Sequence, residues 1–126
     1  MNMDPKDICI KVHTQYIEDQ FNDDEQKYAF AYRITIINNG IQTAKLLRRY
    51  WLITDGNGEK TEVSGDGVVG EQPSIKPGKY YQYTSGAVLE TPVGTMQGHY
   101  EFVDDQEQTF KTPIDVFRLA VNHMVN

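Results

Sequence analysis

The segment Gly65-Asp66-Gly67-Val68-Val69-Gly70 spells G-x-G-x-x-G, the spacing with which dinucleotide-binding enzymes hold a pyrophosphate. In that chemistry the glycines let backbone amides close on the phosphates, and a helix starting among them turns its N-terminus toward the charge. Arg48 and Arg49, upstream, are the cations available to such a ligand. The context denies the helix. Glu71-Gln72-Pro73-Ser74-Ile75-Lys76-Pro77-Gly78 follows, and two prolines with a Pro-Gly turn do not form the first turns of a buried helix. Glu90, an acidic residue at the distance the fingerprint uses for the ribose, is set aside with it. The glycines are expected to serve tight turns and bulges between strands. A weak anion or nucleotide site remains as the alternative, with Gly65, Gly67 and Gly70 forming a nest of amides and Arg48 or Arg49 supplying charge. Alternation along a strand sends Arg48 and Arg49 to opposite faces unless the strand bulges. Arg49 shares the side of Trp51, so it requires a carboxylate or carbonyl partner.

Other chemistry finds less support. Ser64, Ser74 and Ser85 are the only serines, and none sits in a G-x-S-x-G elbow. His13, His99 and His123 are the only histidines, and no two have the close spacing of a zinc site. His13 and His99 fall at outward positions of strands and read as surface imidazoles. The run Glu18-Asp19 with Asn22-Asp23-Asp24-Glu25 offers oxygen ligands without the glycine and terminal glutamate of an EF-hand, and reads as a solvated loop. Cys9 is the lone cysteine, which excludes an intramolecular disulfide and reads as an inert, half-buried thiol in a reducing compartment. No catalytic set converges, and no cofactor is expected.

The elements that position these residues are strands. Ile8, Ile10, Val12, Thr14 and Tyr16 alternate with Cys9, Lys11, His13 and Gln15, and Tyr28, Phe30, Tyr32, Ile34 and Ile36 form a longer inward row with Arg33 and Thr35 between them. Asn38-Asn39-Gly40 supplies a turn tolerant of left-handed geometry. From Leu46 to Thr54, Leu47, Arg49, Trp51 and Ile53 share one side and Leu46, Arg48, Tyr50 and Leu52 the other, a mixed pattern that suits a central strand. Asp55-Gly56-Asn57-Gly58 signals a hairpin back through Lys60 to Val63. Further strands carry Tyr81 and Tyr83, then Met96 to Phe102, then Thr109 to Phe117, the last broken by Pro113 and so expected at an edge. No helix is required beyond a short turn near Val116 to Val121. About seven to eight strands with turns at short intervals predict an all-β, antiparallel β-sandwich of the immunoglobulin or fibronectin-III type. Trp51 stands where such sandwiches place a core tryptophan, and Ile75-x-Pro77-Gly78-x-x-Tyr81 has the spacing of a tyrosine corner.

The 126 residues are read as one domain, 1–126, large enough to bury roughly two-thirds of its unfolded surface without metal or disulfide. A net charge of −6 argues against nucleic acid as the main partner. Residues 1–11 lack the cationic and apolar regions of a secretory signal, and no apolar run approaches a membrane span, so the expected location is cytoplasmic.

Several segments together resemble the ApaG family, also called CorD. They are Arg49-Tyr50-Trp51-Leu52-Ile53-Thr54, Gly65 through Pro73, Pro77-Gly78, Tyr83-Thr84-Ser85-Gly86, Thr91 through Tyr100, and Val116-Phe117-Arg118-Leu119. The resemblance covers essentially the whole chain. It implies a fibronectin-III-like sandwich, no established enzyme activity, an association with cobalt and magnesium handling, and a role in protein–protein recognition. The partner is a protein of unspecified identity, and a homodimer through edge pairing of a late strand is a further expectation. Direct divalent-metal binding is the second alternative. Transition metals favour imidazole, which makes His13, His99 and Glu101 its candidates. Since the two histidine strands are expected in different sheets, no metal site is expected.

Overall fold

In the computed structural model, which describes residues 3–18, 21 and 26–121, the alternating rows become eight strands in two antiparallel sheets. One sheet joins β1 (Ile8–Ile17), β2 (Tyr28–Asn38) and β6 (Tyr80–Leu89) in the order β1-β2-β6. The other runs β4 (Lys60–Asp66), β3 (Ala44–Asp55), β7 (Val93–Val103), β8 (Thr109–Ala120), with the two-residue β5 (Ser74–Ile75) also pairing β3. No helix among the described residues is long and apolar enough to cross a membrane. His123 and most of the acidic run, Asp19 and Asn22 to Glu25, lie outside the described residues.

Register explains the core. Ile34 pairs across to Val12 and Tyr83, and Ile36 to Ile10 and Tyr81, so the apolar rows of three strands face inward together. Trp51 packs edge-on against Tyr32, Tyr100 and Phe117, with ring centroids 5.5, 6.2 and 5.8 Å away. Aromatic pairs at such angles set quadrupole edge against face, beyond their area burial. Across the strand pair, Gly98 lies opposite Trp51, and a Cβ there would stand 1.8 Å from the Tyr50 carbonyl oxygen. That glycine is therefore required by close backbone approach.

The central strand departs from strict alternation. Leu46 pairs with Phe102 but Arg48 with Glu101, so Leu47 is an inserted residue, a β-bulge. Leu46 and Trp51 are consequently both buried, although alternation assigns them to opposite sides. The mixed pattern thus reflects the bulge as well as the central position.

Three other expectations are corrected. The chain does not turn at Val116 to Val121: β8 continues to Ala120, with Leu119 and Val121 buried and the Val121 amide donating to Pro92. A single 3-10 turn, Pro5–Asp7, precedes β1 instead, closed by reciprocal Asp4 and Asp7 caps. At Asn38-Asn39-Gly40 no residue has positive φ. The buried Asn38 amide donates to the carbonyls of Gln42 and Ile75, its oxygen accepts from Gly40, and the chain crosses from one sheet to the other. Gly40 is there for space, since a Cβ would meet Met3 at 2.5 Å. The fourth correction concerns the tyrosine-corner position. Tyr81 is half-buried against Tyr83, and the tyrosine tied across the sandwich is Tyr83, whose hydroxyl hydrogen-bonds that of Tyr100 in the opposite sheet.

The Tyr83–Tyr100 contact is buried and links the two sheets through one polar bond. Burial raises both phenols well above their ordinary range, so both are neutral hydroxyls. Removing one oxygen leaves its partner buried and unsatisfied, whereas removing both leaves an apolar contact. Tyr83→Phe or Tyr100→Phe is expected to cost about 1–3 kcal/mol, and the double variant no more than the worse single. A double-mutant cycle in urea denaturation checks this; additive losses would contradict it.

Candidate functional site

The bulge sets the geometry around the glycine motif. Because Leu47 is pushed out of the ladder, its carbonyl is free to accept the Gly67 amide at 2.8 Å and the Gln72 side-chain amide at 3.0 Å. Two residues on, Arg49 is restored to the inward face, opposite Tyr100 and Gly65. Its Nη1 donates to the carbonyl oxygens of Asp66 at 3.1 Å and Gly67 at 3.0 Å. A Cβ on Gly65 would press the guanidinium at 3.0–3.2 Å. The first two glycines therefore cradle a cation of the same chain, and the groups they aim at it are carbonyls. A phosphate cradle requires amides.

The amides are largely committed. Val68 donates to the Glu71 carbonyl at 2.8 Å and Glu71 returns the bond at 2.9 Å. Between them Val69 (φ 44) and Gly70 (φ 82) form a two-residue turn of the I′ type, and no helix follows. Gly67 is also left-handed, φ 63, and a Cβ there would lie 2.2 Å from the Glu71 carbonyl oxygen. Val68 is fully buried, which pins the excursion to the core, while Val69 is exposed at its tip. Gly70 stands at that tip, away from Gly65 and Arg49, with open space around its Cα.

Arg48 faces the opposite side. It bonds Glu101 at 3.0 Å and approaches Asp66 at 3.9 Å on the outer surface. The same surface holds His99, stacked on Tyr50 with centroids 5.1 Å apart, and the Tyr50 hydroxyl donates to Glu62 at 2.8 Å. Sequence reading had no signal for this stack beyond the outward parity of both rings. His99 and Glu101 share that face, but His13 projects from β1 in the other sheet. Among the described residues no three His, Cys, Asp or Glu side chains converge to hold a metal.

A concavity lies on the flank between β1 and β8, edge strands of opposite sheets. A groove of about 600 Å³ runs there, lined by Ile8, Ile10, Val12, Ile114, Val116 and Phe117. Asp4, Lys6 and Asp115 also line it, and the Thr112 hydroxyl donates to the Pro5 carbonyl at 3.1 Å, fastening the N-terminal turn to β8. Apolar parity was legible for each strand; that the two edges lie together is set by topology alone.

Comparison with known proteins bears on this arrangement. The family model for the ApaG domain matches residues 18–104. A relative from Erwinia tasmaniensis, Protein ApaG, is 57% identical over 121 residues, 96% of each chain. Another Protein ApaG, from Pectobacterium atrosepticum, is 54% identical over 94% of this chain and 95% of its own. A crystal structure described as the putative ApaA protein from Bordetella pertussis superposes with a TM-score of 0.90 at 42% identity, covering 94% of this chain and 96% of that one.

Three outcomes follow from the site geometry. Valine is β-branched and disfavours the left-handed conformation it holds at position 69. Val69→Asn is expected to stabilise the fold by about 0.5–1 kcal/mol, and Gly67→Ala to destabilise it by about 2 kcal/mol or more, read from urea midpoints. His99 is shifted below the ordinary imidazole range by burial and by the Lys111 ammonium, with Glu101 opposing. The folded state therefore favours the neutral ring. Its contribution is complete above the ordinary imidazole pKa and is lost as pH falls through that value toward the lower folded one. Stability measured from about pH 7.5 to about 5.5 should fall more steeply for the native chain than for His99→Phe, which keeps the stack and cannot titrate. Equal slopes would show that His99 does not contribute.

Proposed function

This chain belongs to the ApaG family, and we propose that it acts as a cytoplasmic, non-enzymatic binding module that recognises a protein partner through the open flank of its sandwich. The observation that carries this reading is the groove between β1 and β8, about 600 Å³ with apolar side chains contributed by both sheets. Grooves of this kind suit side chains of a partner, since burying apolar area there yields roughly 25 cal/mol per Å². Val116 is 59% exposed, and its burial by a partner would remove one of the larger apolar surfaces of the molecule from water. The polar groups around the glycine motif, by contrast, are occupied with one another.

The family's association with cobalt and magnesium is, on this reading, indirect, exerted through a partner such as a component of metal transport. The placement of His13 and His99 in different sheets supports it. Self-association through a late strand would run along β8, where Pro113 lacks a donor and the ladder is interrupted: Met96 pairs with Phe117 but Gly98 with Ile114, leaving Asp115 and Val116 opposite Gln97 alone. A partner other than a second copy fits the flank better.

The test is crosslinking capture from a bacterial lysate with the native chain and with Val116→Asp. An exposed position accepts aspartate without disturbing the core, which circular dichroism verifies. At least one captured protein should be depleted about tenfold with the variant, as expected when a groove anchor is lost. Equal capture by both chains, or no capture with turnover of a metabolite instead, would refute the reading.

A further inference from the structure

The two strands bordering the flank are not equally able to accept a partner. β8 carries Pro113 and the Asp115–Val116 bulge. β1 has neither proline nor glycine, and its register with β2 runs unbroken from Ile8–Asn38 to Ile17–Ala29. It ends its sheet, so its far side presents a continuous row of backbone donors and acceptors. An extended segment can add there as a fourth strand, with main-chain bonds for affinity and alternate side chains for specificity.

The two faces of β1 dictate those alternate side chains. Inward, Ile8, Ile10 and Val12 line the groove, facing Ile114 and Phe117 of β8. Outward, Lys11 and His13 are exposed, and register places Arg33 directly beside His13. The rows across this outer face, from Cys9–Ile37–Tyr80 to Ile17–Ala29–Val88, contain no carboxylate, in a chain whose net charge is −6. We propose that β1 is the docking edge for an extended segment of a protein partner whose residues alternate apolar and acidic. Its apolar residues would enter the groove, and its carboxylates would lie beside Lys11 and His13. The proposal rests on the reading of this flank as a partner surface and adds the partner's chemistry.

Other occupants fit less well. Two copies pairing antiparallel through β1 and centred on Lys11 would set the two lysines directly opposite each other, and like charges so placed are destabilising. Single-stranded nucleic acid uses aromatic platforms beneath successive bases, whereas the centre of this face holds Thr35, Arg33, Ala31, Gln82 and Thr84, with one cation and no aromatic ring. The other edge of this sheet, β6, borders a smaller cavity of about 320 Å³ lined by Asp55, Glu59 and Glu90 with no cation, whereas the β1 groove sets Lys6 beside its two carboxylates, Asp4 and Asp115.

The experiment titrates the ¹⁵N-labelled full chain with capped peptides: Val-Glu repeated three times, the same residues in two blocks, Val-Lys repeated three times, and the first peptide N-methylated at alternate residues. The alternating acidic peptide is expected to bind below about 1 mM and to shift the amides of β1 and of Ile114 to Phe117. It should bind at least about fivefold more tightly than the lysine or block peptide, and N-methylation should abolish it. Lys11→Glu with Arg33→Glu, both at exposed positions, should reverse the charge preference. Equal binding of the block or N-methylated peptide, a preference for lysine, stronger shifts of the same amides by a short oligonucleotide, or no shift with any probe would overturn the proposal. If Val116-dependent capture from lysate persists in such a case, the binding-module reading stands and only the strand chemistry falls.

Discussion

One inserted residue in the central strand governs much of this molecule. Leu47 breaks the alternation of β3, and three consequences follow at once. Leu46 and Trp51 both reach the core, the Leu47 carbonyl becomes an acceptor for the neighbouring loop, and Arg49 turns inward. A single strand thereby serves two registers, one against β5 at Ala44–Lys45 and one against β4 from Arg48 onward. The glycine-rich excursion fills the gap between these neighbours, tied down by the bonds from Gly67 to Leu47 and from Leu46 to Pro73.

The chemical meaning of the glycine motif changes with that frame. Glycine permits backbone to approach a ligand closely, but the sign of the ligand is decided by which backbone group faces it. At positions 65–67 the facing groups are carbonyls and the guest is the Arg49 guanidinium. An inward arginine without such partners would be costly, and hydrogen bonds to a charged group contribute about 1.5–3 kcal/mol each. The same guanidinium lies close enough to Tyr83 and Tyr100 to oppose part of their rise. Arg49 thus couples the loop to the polar link between the sheets.

How much of this could be read from residues alone follows from the range of the interactions. Period-two rows located β1, β2 and β7 because half-buried strands alternate. Asp55-Gly56-Asn57-Gly58 was legible because its chemistry is local: Asp55 caps the turn and Gly58 takes the left-handed position. The turn at Asp104 has the same aspartate cap, but Glu107 holds the left-handed position where a glycine is customary. Pro113 marked an edge strand correctly. The need of Arg49 for a carboxylate or carbonyl partner was also legible, whereas the choice between them was not, because the partner depends on a bulge and bulges leave little mark on composition. The flank groove was hidden for a different reason: it is made by the adjacency of the first and last strands.

The order of pairing along the chain carries a consequence for synthesis. β3–β4 and β7–β8 are hairpins closed by their own aspartate-capped turns, and each can form as soon as it is made. The sheet of β1 and β2 is different, because β2 pairs next with β6, joining Tyr28 to Leu89. During vectorial translation the β1–β2 pair must wait, with Phe30, Ile34 and Ile36 uncovered, until β6 has left the ribosome. Non-local pairing of this sort slows closure, since chain entropy is lost before contacts compensate. The strand proposed as the docking edge is therefore made ahead of the whole sheet that covers its inward row.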